Sequence, residues 1–408
     1  MRSASAIQSR GKIGAPDDCP EIAPNPPVAR LPPVGRLPPA SRLSPVARCP
    51  APDRTRVTRA VAHPPRVVIA GAGLMGRWHA DAARRAGAQV VAAADPDRAR
   101  AARIAPASYA DLQEMLAATT PDVLHLCTPT ATHGALLRLA AAQGVHAFAE
   151  KPLAADLAET RALLEAAGAA GTRLCPVHQY AFQSSIETIL RRRDRLGDPV
   201  LIELAFFSAG AEGQTAAAQP TTARLATIAA DILPHPLSIL QRLFPGPLPA
   251  AALWQIAQPG PATFALQTTL AGALVRITLS LSARPTRATL DLYGTSGAFT
   301  ADLFHDYGFF RDGSASRRSK LTRPLRDGAG HFGHACLNLA GRALRRETAY
   351  PGLAALTARV YASLDGGAPV PILPGQILEI AALRDDFLAR TGGMARTSFL
   401  ARSGGTLP

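Results

Sequence analysis

The chain has 408 residues, 47% hydrophobic and 18% charged, which is too long for one ordinary core and apolar enough to build two. Its formal net charge is +14, of which +6 belongs to the first 65 residues and +8 to the rest; no basic stripe interleaved with aromatics accompanies the surplus, which argues against nucleic acid as a partner. No run of about 18 apolar residues occurs, so no membrane span is expected, and the N-terminus lacks the apolar segment of a cleaved secretory signal.

Residues 1–64 are rich in proline, arginine, alanine and serine, as in RLPPVGRLPPASRLSP, and show no helical or alternating apolar period. Such a stretch buries too little apolar surface to offset its ordering entropy, so it is expected to be disordered. A flexible tail is expected over 396–408. The five cysteines, Cys19, Cys49, Cys127, Cys175 and Cys336, are odd in number and show no CxxC or Cys/His spacing. That pattern suits a reducing, cytoplasmic compartment and predicts no metal site.

From Arg66 the texture changes. RVVIA reads as a strand, GAGLMG as a glycine turn, RWHADAARRAG as a helix and AQVVAAAD as a second strand. The helix ADLQEMLAA, the strand PDVLHLC, the helix HGALLRLAAAQG and the strand VHAFAE follow. Alternating strands and helices on short connections predict a doubly wound parallel α/β sheet, a Rossmann-like domain over 65–185. Between about Pro199 and Leu303 strand-like runs are separated by turns alone, which predicts a second, α+β domain over 186–395 with a largely antiparallel open sheet. An uncovered sheet face there is a candidate surface for a homo-oligomer.

Gly71, Gly73 and Gly76 sit between a strand and a helix, with Leu74 and Met75 opening that helix. Gly71 permits the tight turn, Gly73 lets a pyrophosphate approach the backbone, and Gly76 lets helix and strand pack closely. Asp95 ends the second strand, where a carboxylate can hold a ribose 2′-hydroxyl and repel a 2′-phosphate. NAD is therefore the expected cofactor, with NADP left open by the nearby Arg98. The loop Thr128-Pro129-Thr130, with His133 beyond it, lies at the carboxyl end of the third long strand, where ligands of open α/β sheets bind.

Glu150-Lys151-Pro152 closes the next strand. Lys151 is conspicuous because only Lys12 and Lys320 accompany it among 44 cationic residues, and lysine, unlike arginine, can release its proton. Together GAGLMGRWH, AAADPD, TPTATH and AEKPLA resemble the glucose–fructose oxidoreductase, inositol dehydrogenase and MocA family of NAD(P)-dependent sugar dehydrogenases, from about residue 66 to at least 303. The resemblance implies that Lys151 lies beside the nicotinamide and the reacting hydroxyl, with a lowered pKa, and that Glu150 orients its loop. It also implies an Asp and a His four residues apart in the second domain, matched by Asp231 and His235 in DILPHPLS, which that spacing would set on one helical face. His235 is then the general base and Asp231 positions substrate or imidazole; His178 in PVHQYAF is either structural or a sugar contact.

The sequence departs from the family at Ser238, where a further acidic residue is usual, at RLATIAA, which replaces a glycine-rich run, and at Pro234 and Pro236, which predict a kinked or broken helix. The implied reaction is hydride transfer between nicotinamide and a secondary alcohol or ketone of a sugar, cyclitol or nucleotide sugar. Two other readings remain open at this point: a transiently redox elimination, epimerisation or glycoside cleavage, and a dinucleotide-binding regulatory protein. The segment 309–328, with six cations, reads either as a solvated loop or as a patch for an anionic substrate or an acidic membrane surface.

Overall fold

Short apolar runs alternating with helices build the first core. In chain order they are β1 (Arg66–Ala70), α1 (Leu74–Arg85), β2 (Gln89–Ala94), α2 (Arg98–Ala102), β3 (Ala107–Tyr109), α3 (Leu112–Thr119), β4 (Val123–Leu126), α4 (Thr130–Ala142), β5 (His146–Ala149), α5 (Leu157–Ala169) and β6 (Leu174–Pro176). The computed structural model describes residues 64–208, 221–345, 347, 349–364, 366 and 368–392. The expected disordered extension, residue 64 apart, and the tail from 396 lie outside the described residues.

The six strands form one parallel sheet in the order β3-β2-β1-β4-β5-β6. β4 and β5 are buried throughout and β1 after its first residue, as central strands covered on both faces must be. The chain leaves β1 towards β2 and later returns to β4 on its other side, so the carboxyl ends of β1 and β4 flank a topological switch point. Caps set the helix starts: Asp111 accepts from the Glu114 N–H at 2.8 Å before α3, and Asp156 from the Glu159 N–H at 2.8 Å before α5.

The second core follows with α6 (Ser184–Arg191), β7 (Pro199–Phe207), α7 (Thr222–Ile232), α8 (Pro234–Leu243), β8 (Gln255–Gly260), β9 (Thr263–Leu270), β10 (Ala273–Ser280), β11 (Arg287–Gly294), β12 (Gly297–Asp302) and β13 (Tyr307–Asp312). The seven strands lie in the order β13-β12-β11-β7-β10-β9-β8. Only β10 and β7 pair in parallel; the other neighbours are antiparallel. Ile202, Leu204 and Phe206 alternate inward on β7 and join Leu237, Leu240 and Phe387 in the core, while Glu203 faces outward and pairs with Arg276 at 3.5 Å.

Asp231 and His235 stand on either side of the break expected of Pro234 and Pro236: α7 ends at Ile232 and α8 begins at Pro234, because the two prolines have no N–H for the carbonyls of Ala230 and Ile232. Two features differ from expectation. The segment 309–328 is not a loop but most of β13 and the start of α9 (Arg317–Leu344), a 28-residue helix that carries Pro324 inside it and four glycines, residues that depress helix propensity and so hid it. Last, α10 (Leu353–Leu364) returns to the first domain, where Leu356, Val360 and Tyr361 join the core around β1 and β4, before α11 (Pro374–Thr391) contributes Phe387 to the second. The second core is therefore not drawn from one continuous stretch of chain.

Candidate active site

The glycine turn after β1 is shaped by contacts that admit no side chain. Gly71 has φ +89°, and a Cβ on it would meet the Cys127 carbonyl oxygen at 2.6 Å; a Cβ on Gly76 would overlap the Gly71 carbonyl. Gly73 differs, since a Cβ there would meet nothing within 4 Å. It faces a cavity of about 310 Å³ lined by Ala72, Gly73, Leu74, Arg77, Arg100 and Arg103. Gly73 is also the N-cap of α1 and offers no side-chain cap, leaving first-turn N–H groups for a ligand. The site therefore fits a dinucleotide pyrophosphate, with three arginines at hand that the sequence had not singled out.

Asp95 reaches the same turn. Its carboxylate accepts from the Ala72 N–H at 2.8 Å and from the Asp97 N–H at 2.9 Å. Arg98 turns away to the Ser108 carbonyl, at 2.8 Å. Gly73→Ala is expected to fold normally and to weaken dinucleotide binding about tenfold or more, whereas Gly76→Ala should cost on the order of 2 kcal/mol of stability from backbone overlap; melting curves and dinucleotide titration separate the two.

At the end of β4, Thr128 accepts from the Thr132 hydroxyl at 2.7 Å, and Pro129 precedes α4 as its N-cap. His133, wholly buried, sets Nε2 2.9 Å from the Thr128 carbonyl and Nδ1 3.2 Å from the Leu153 carbonyl. Burial lowers its pKa against the opposing pull of those carbonyls. The neutral ring has one N–H and donates to only one of these carbonyls at a time, packed between the loop after β4 and the loop that carries Lys151.

Glu150 also turns inward. Its Oε1 lies 3.1 Å from His79 Nε2, His79 Nδ1 lies 3.0 Å from His125 Nδ1, and His125 Nε2 lies 2.7 Å from the Tyr361 hydroxyl. With a carboxylate, which only accepts, at one end, every N–H or O–H in the chain must point towards Glu150. Burial alone would raise the Glu150 pKa, but the His79 hydrogen bond and the Lys151 charge hold it below its ordinary value. Burial raises Tyr361 and lowers His125, with His79 adding to the latter, which keeps a phenol and a neutral imidazole in line. His125 was visible as a polar residue inside an apolar central strand; Tyr361, 236 residues away, had no local signal.

Lys151 lies at the end of β5, and its Nζ donates to the Asp231 carbonyl at 2.8 Å, just before the proline break between α7 and α8. The Asp231 carboxylate faces the buried Arg384 of α11 at 3.6 Å, and Arg384 also donates to the Ala155 carbonyl at 2.7 Å. Arg384→Ala, which strips Asp231 of that counter-ion, should cost about 3 kcal/mol, read from the denaturant midpoint.

The His235 ring shares one aromatic cluster with Tyr180, at 4.6 Å, and Phe206, at 6.3 Å, which also pack on each other at 5.5 Å. Burial, then the charges of Lys151 and His178, hold its pKa well below 6.5. His178 is likewise pushed down to about 3, by burial first and Lys151 second. Both rings bury an Nδ1 that has no hydrogen-bond partner among the described residues, an uncommon expense unless a ligand or water completes it. The structure thus brings Lys151, His178, Asp231 and His235 together beside the carboxyl end of the parallel sheet. A groove of about 830 Å³, lined in part by Tyr180, Phe304, Leu339, Ala343 and Tyr350, opens next to Tyr180. Among the described residues no cluster of His, Cys, Asp and Glu could hold a metal ion.

Residues 65–178 match the model of a family described as an oxidoreductase family with an NAD-binding Rossmann fold. The chain is 36% identical over 156 residues to inositol 2-dehydrogenase 4 of Saccharopolyspora erythraea, covering 36% of this chain and 46% of that protein. It is 35% identical over 149 residues to D-apiose dehydrogenase of Paraburkholderia graminis, covering 35% and 40%. The chain thus matches less than half the length of each of these two relatives. Among solved structures, a dehydrogenase from Chromobacterium violaceum superposes with a TM-score of 0.62 at 16% identity, covering 83% of this chain and 97% of that one. The WlbA dehydrogenase from Bordetella pertussis, in complex with NADH and UDP-GlcNAcA, gives 0.58 at 18% identity, covering 83% and 97%. At such identities the likeness is one of fold.

Proposed function

We propose that this chain, whose residues 65–178 match the model of an oxidoreductase family with an NAD-binding Rossmann fold, belongs to the glucose–fructose oxidoreductase, inositol dehydrogenase and MocA family and is an NAD(P)-dependent dehydrogenase acting on a secondary alcohol of a sugar, cyclitol or nucleotide sugar. The observation that carries the reading is the meeting of Lys151 with Asp231 and His235 from the second domain, at the carboxyl edge of the sheet that bears the glycine turn. Gly73 and the N-terminus of α1 would hold the pyrophosphate, and Asp95 a ribose hydroxyl; its negative charge favours NAD over NADP. NAD, when bound, supplies the hydride acceptor.

The rest is work for side chains. Lys151, anchored on a backbone carbonyl, would direct its ammonium group at a substrate oxygen. His235 is held neutral, so it can accept the hydroxyl proton as the carbon loses hydride. Tyr180 and Phe206 pack against the imidazole as one aromatic wall, which restricts its rotation without spending its nitrogens. The names of the relatives point to cyclitols and pentoses, and the groove beside Tyr180 is large enough, at about 830 Å³, for a substituent beyond one sugar ring.

Titration of the purified protein with NAD and NADP, followed by nicotinamide absorbance with a panel of polyols, free sugars and nucleotide sugars, tests the proposal. Binding of neither dinucleotide would refute it.

A further inference from the structure

α9 is 28 residues long, yet only Ser319 on it is buried. Gly330 rests on the Phe309 ring, which fixes the side of the helix that faces the body. At 3.6 residues per turn the opposite side carries Leu321, Leu325, Phe332 and Cys336, and the same apolar stripe runs on to Leu339 and Ala343, where it turns onto the groove beside Tyr180. Leu325 is 78%, Phe332 75% and Leu339 72% exposed. Four glycines and Pro324 deny this helix much intrinsic stability, and the body supplies little packing. Something docked on the stripe must supply the rest.

Charge selects the occupant. Arg317, Arg318, Lys320, Arg323 and Arg326 crowd the first three turns, and Arg342 and the C-cap Arg345 lie at the other end, against one carboxylate within the helix, Asp327. Asp312 offsets Arg326 at 3.7 Å and Glu347 offsets Arg345 at 3.4 Å, so the surplus sits at the N-terminal end. A second copy of the stripe, packed at about 8–10 Å, would set cations against cations in parallel alignment, and in antiparallel alignment would bring no acidic surplus to meet them, since the far end carries Arg342 and Arg345 with Glu347. A basic amphipathic helix instead matches the surface of an anionic bilayer, lying in its plane with the apolar face sunk about 5–10 Å.

We propose that α9 is an interfacial helix that seats this protein on an anionic lipid surface without crossing it. No helix among the described residues is long and apolar enough to span a membrane. The C-terminal end of the stripe, at Leu339 and Ala343, also walls the groove that reaches Tyr180. A bilayer on the stripe therefore lies at the mouth of that groove.

Co-sedimentation of the full chain with vesicles of phosphatidylcholine, alone or with one-third phosphatidylglycerol, is the test. The protein should pellet with the anionic vesicles and stay in solution with the neutral ones. Raising salt from about 0.1 M to about 1 M, which shortens screening from about 10 to about 3 Å, should weaken binding. Leu325→Glu with Phe332→Glu should reduce anionic binding about tenfold or more and leave dinucleotide affinity unchanged. Wild-type protein that ignores anionic vesicles overturns the proposal, as does binding that survives the two substitutions, since that would come from charge alone. A lipid-free wild-type dimer that the same pair turns into a monomer in light scattering would assign the stripe to a second copy instead.

Discussion

Lys151→Met is expected to lower the hydride-transfer rate about 10³-fold or more while dinucleotide affinity stays close to that of the native chain. The pyrophosphate and ribose half of the site is built from the β1 turn, the α1 N-terminus and Asp95, whereas Lys151 follows a different strand, β5. What the substitution removes is the cation fixed on the Asp231 carbonyl and the donors it presents to the substrate oxygen. The loss should therefore fall on kcat more than on dinucleotide binding. Lys151→Arg sharpens the result. It keeps the charge and can still reach a carbonyl, but its guanidinium holds its protons at any working pH. If the arginine variant turns over at the native rate, lysine is a counter-charge and a strut, and proton handling belongs to His235 alone.

The parts of this site that could be read in advance are those in which one short stretch carries its own geometry. Gly71, Gly73 and Gly76 mark a turn by the side chains they lack, and the open space before Gly73 agrees with the reason for its being glycine. Lys151 stood out as one lysine among arginines. The pairing of Asp231 with His235 was legible as a spacing, and the break between them in Pro234 and Pro236, but the bond from Lys151 to the Asp231 backbone carbonyl was not. Arg384 and Tyr361 reach the site from 153 and 236 residues away along the chain, counted from Asp231 and His125 respectively, and nothing in their own surroundings announces it. α9 was hidden for a different reason: its glycines and proline are poor helix formers, and its apolar residues read as scattered until the helix aligned them on one side.

Acid should stop this protein by unfolding it before it protonates the base. His235 is held well below 6.5 by burial and by the Lys151 and His178 charges. Its neutral form, the one that accepts a proton, therefore persists as the pH falls through the range where a free histidine would titrate. The unfolded chain has no such protection, and its histidines take up protons below about 6.5. A base whose folded pKa is depressed contributes no penalty above that value and loses stability as the pH falls from the unfolded pKa towards the folded one. For His178, with a folded value of about 3, the loss by pH 5 is about 2 kcal/mol. His125 and His235 act in the same direction, as does His133 more weakly. All of these losses draw on a stability that for an ordinary domain is only about 5–15 kcal/mol. The acid limb of the activity profile should then coincide with the loss of near-UV circular dichroism between about pH 6.5 and 5, and remain reversible only where the fold does. In Lys151→Gln the cation that helps depress His235 is gone, so its pKa rises and the residual activity should decline at a higher pH than the fold does. An acid limb near 6.5 in the native enzyme, with the fold intact, would show instead that His235 titrates freely and is not the buried, neutral base described above.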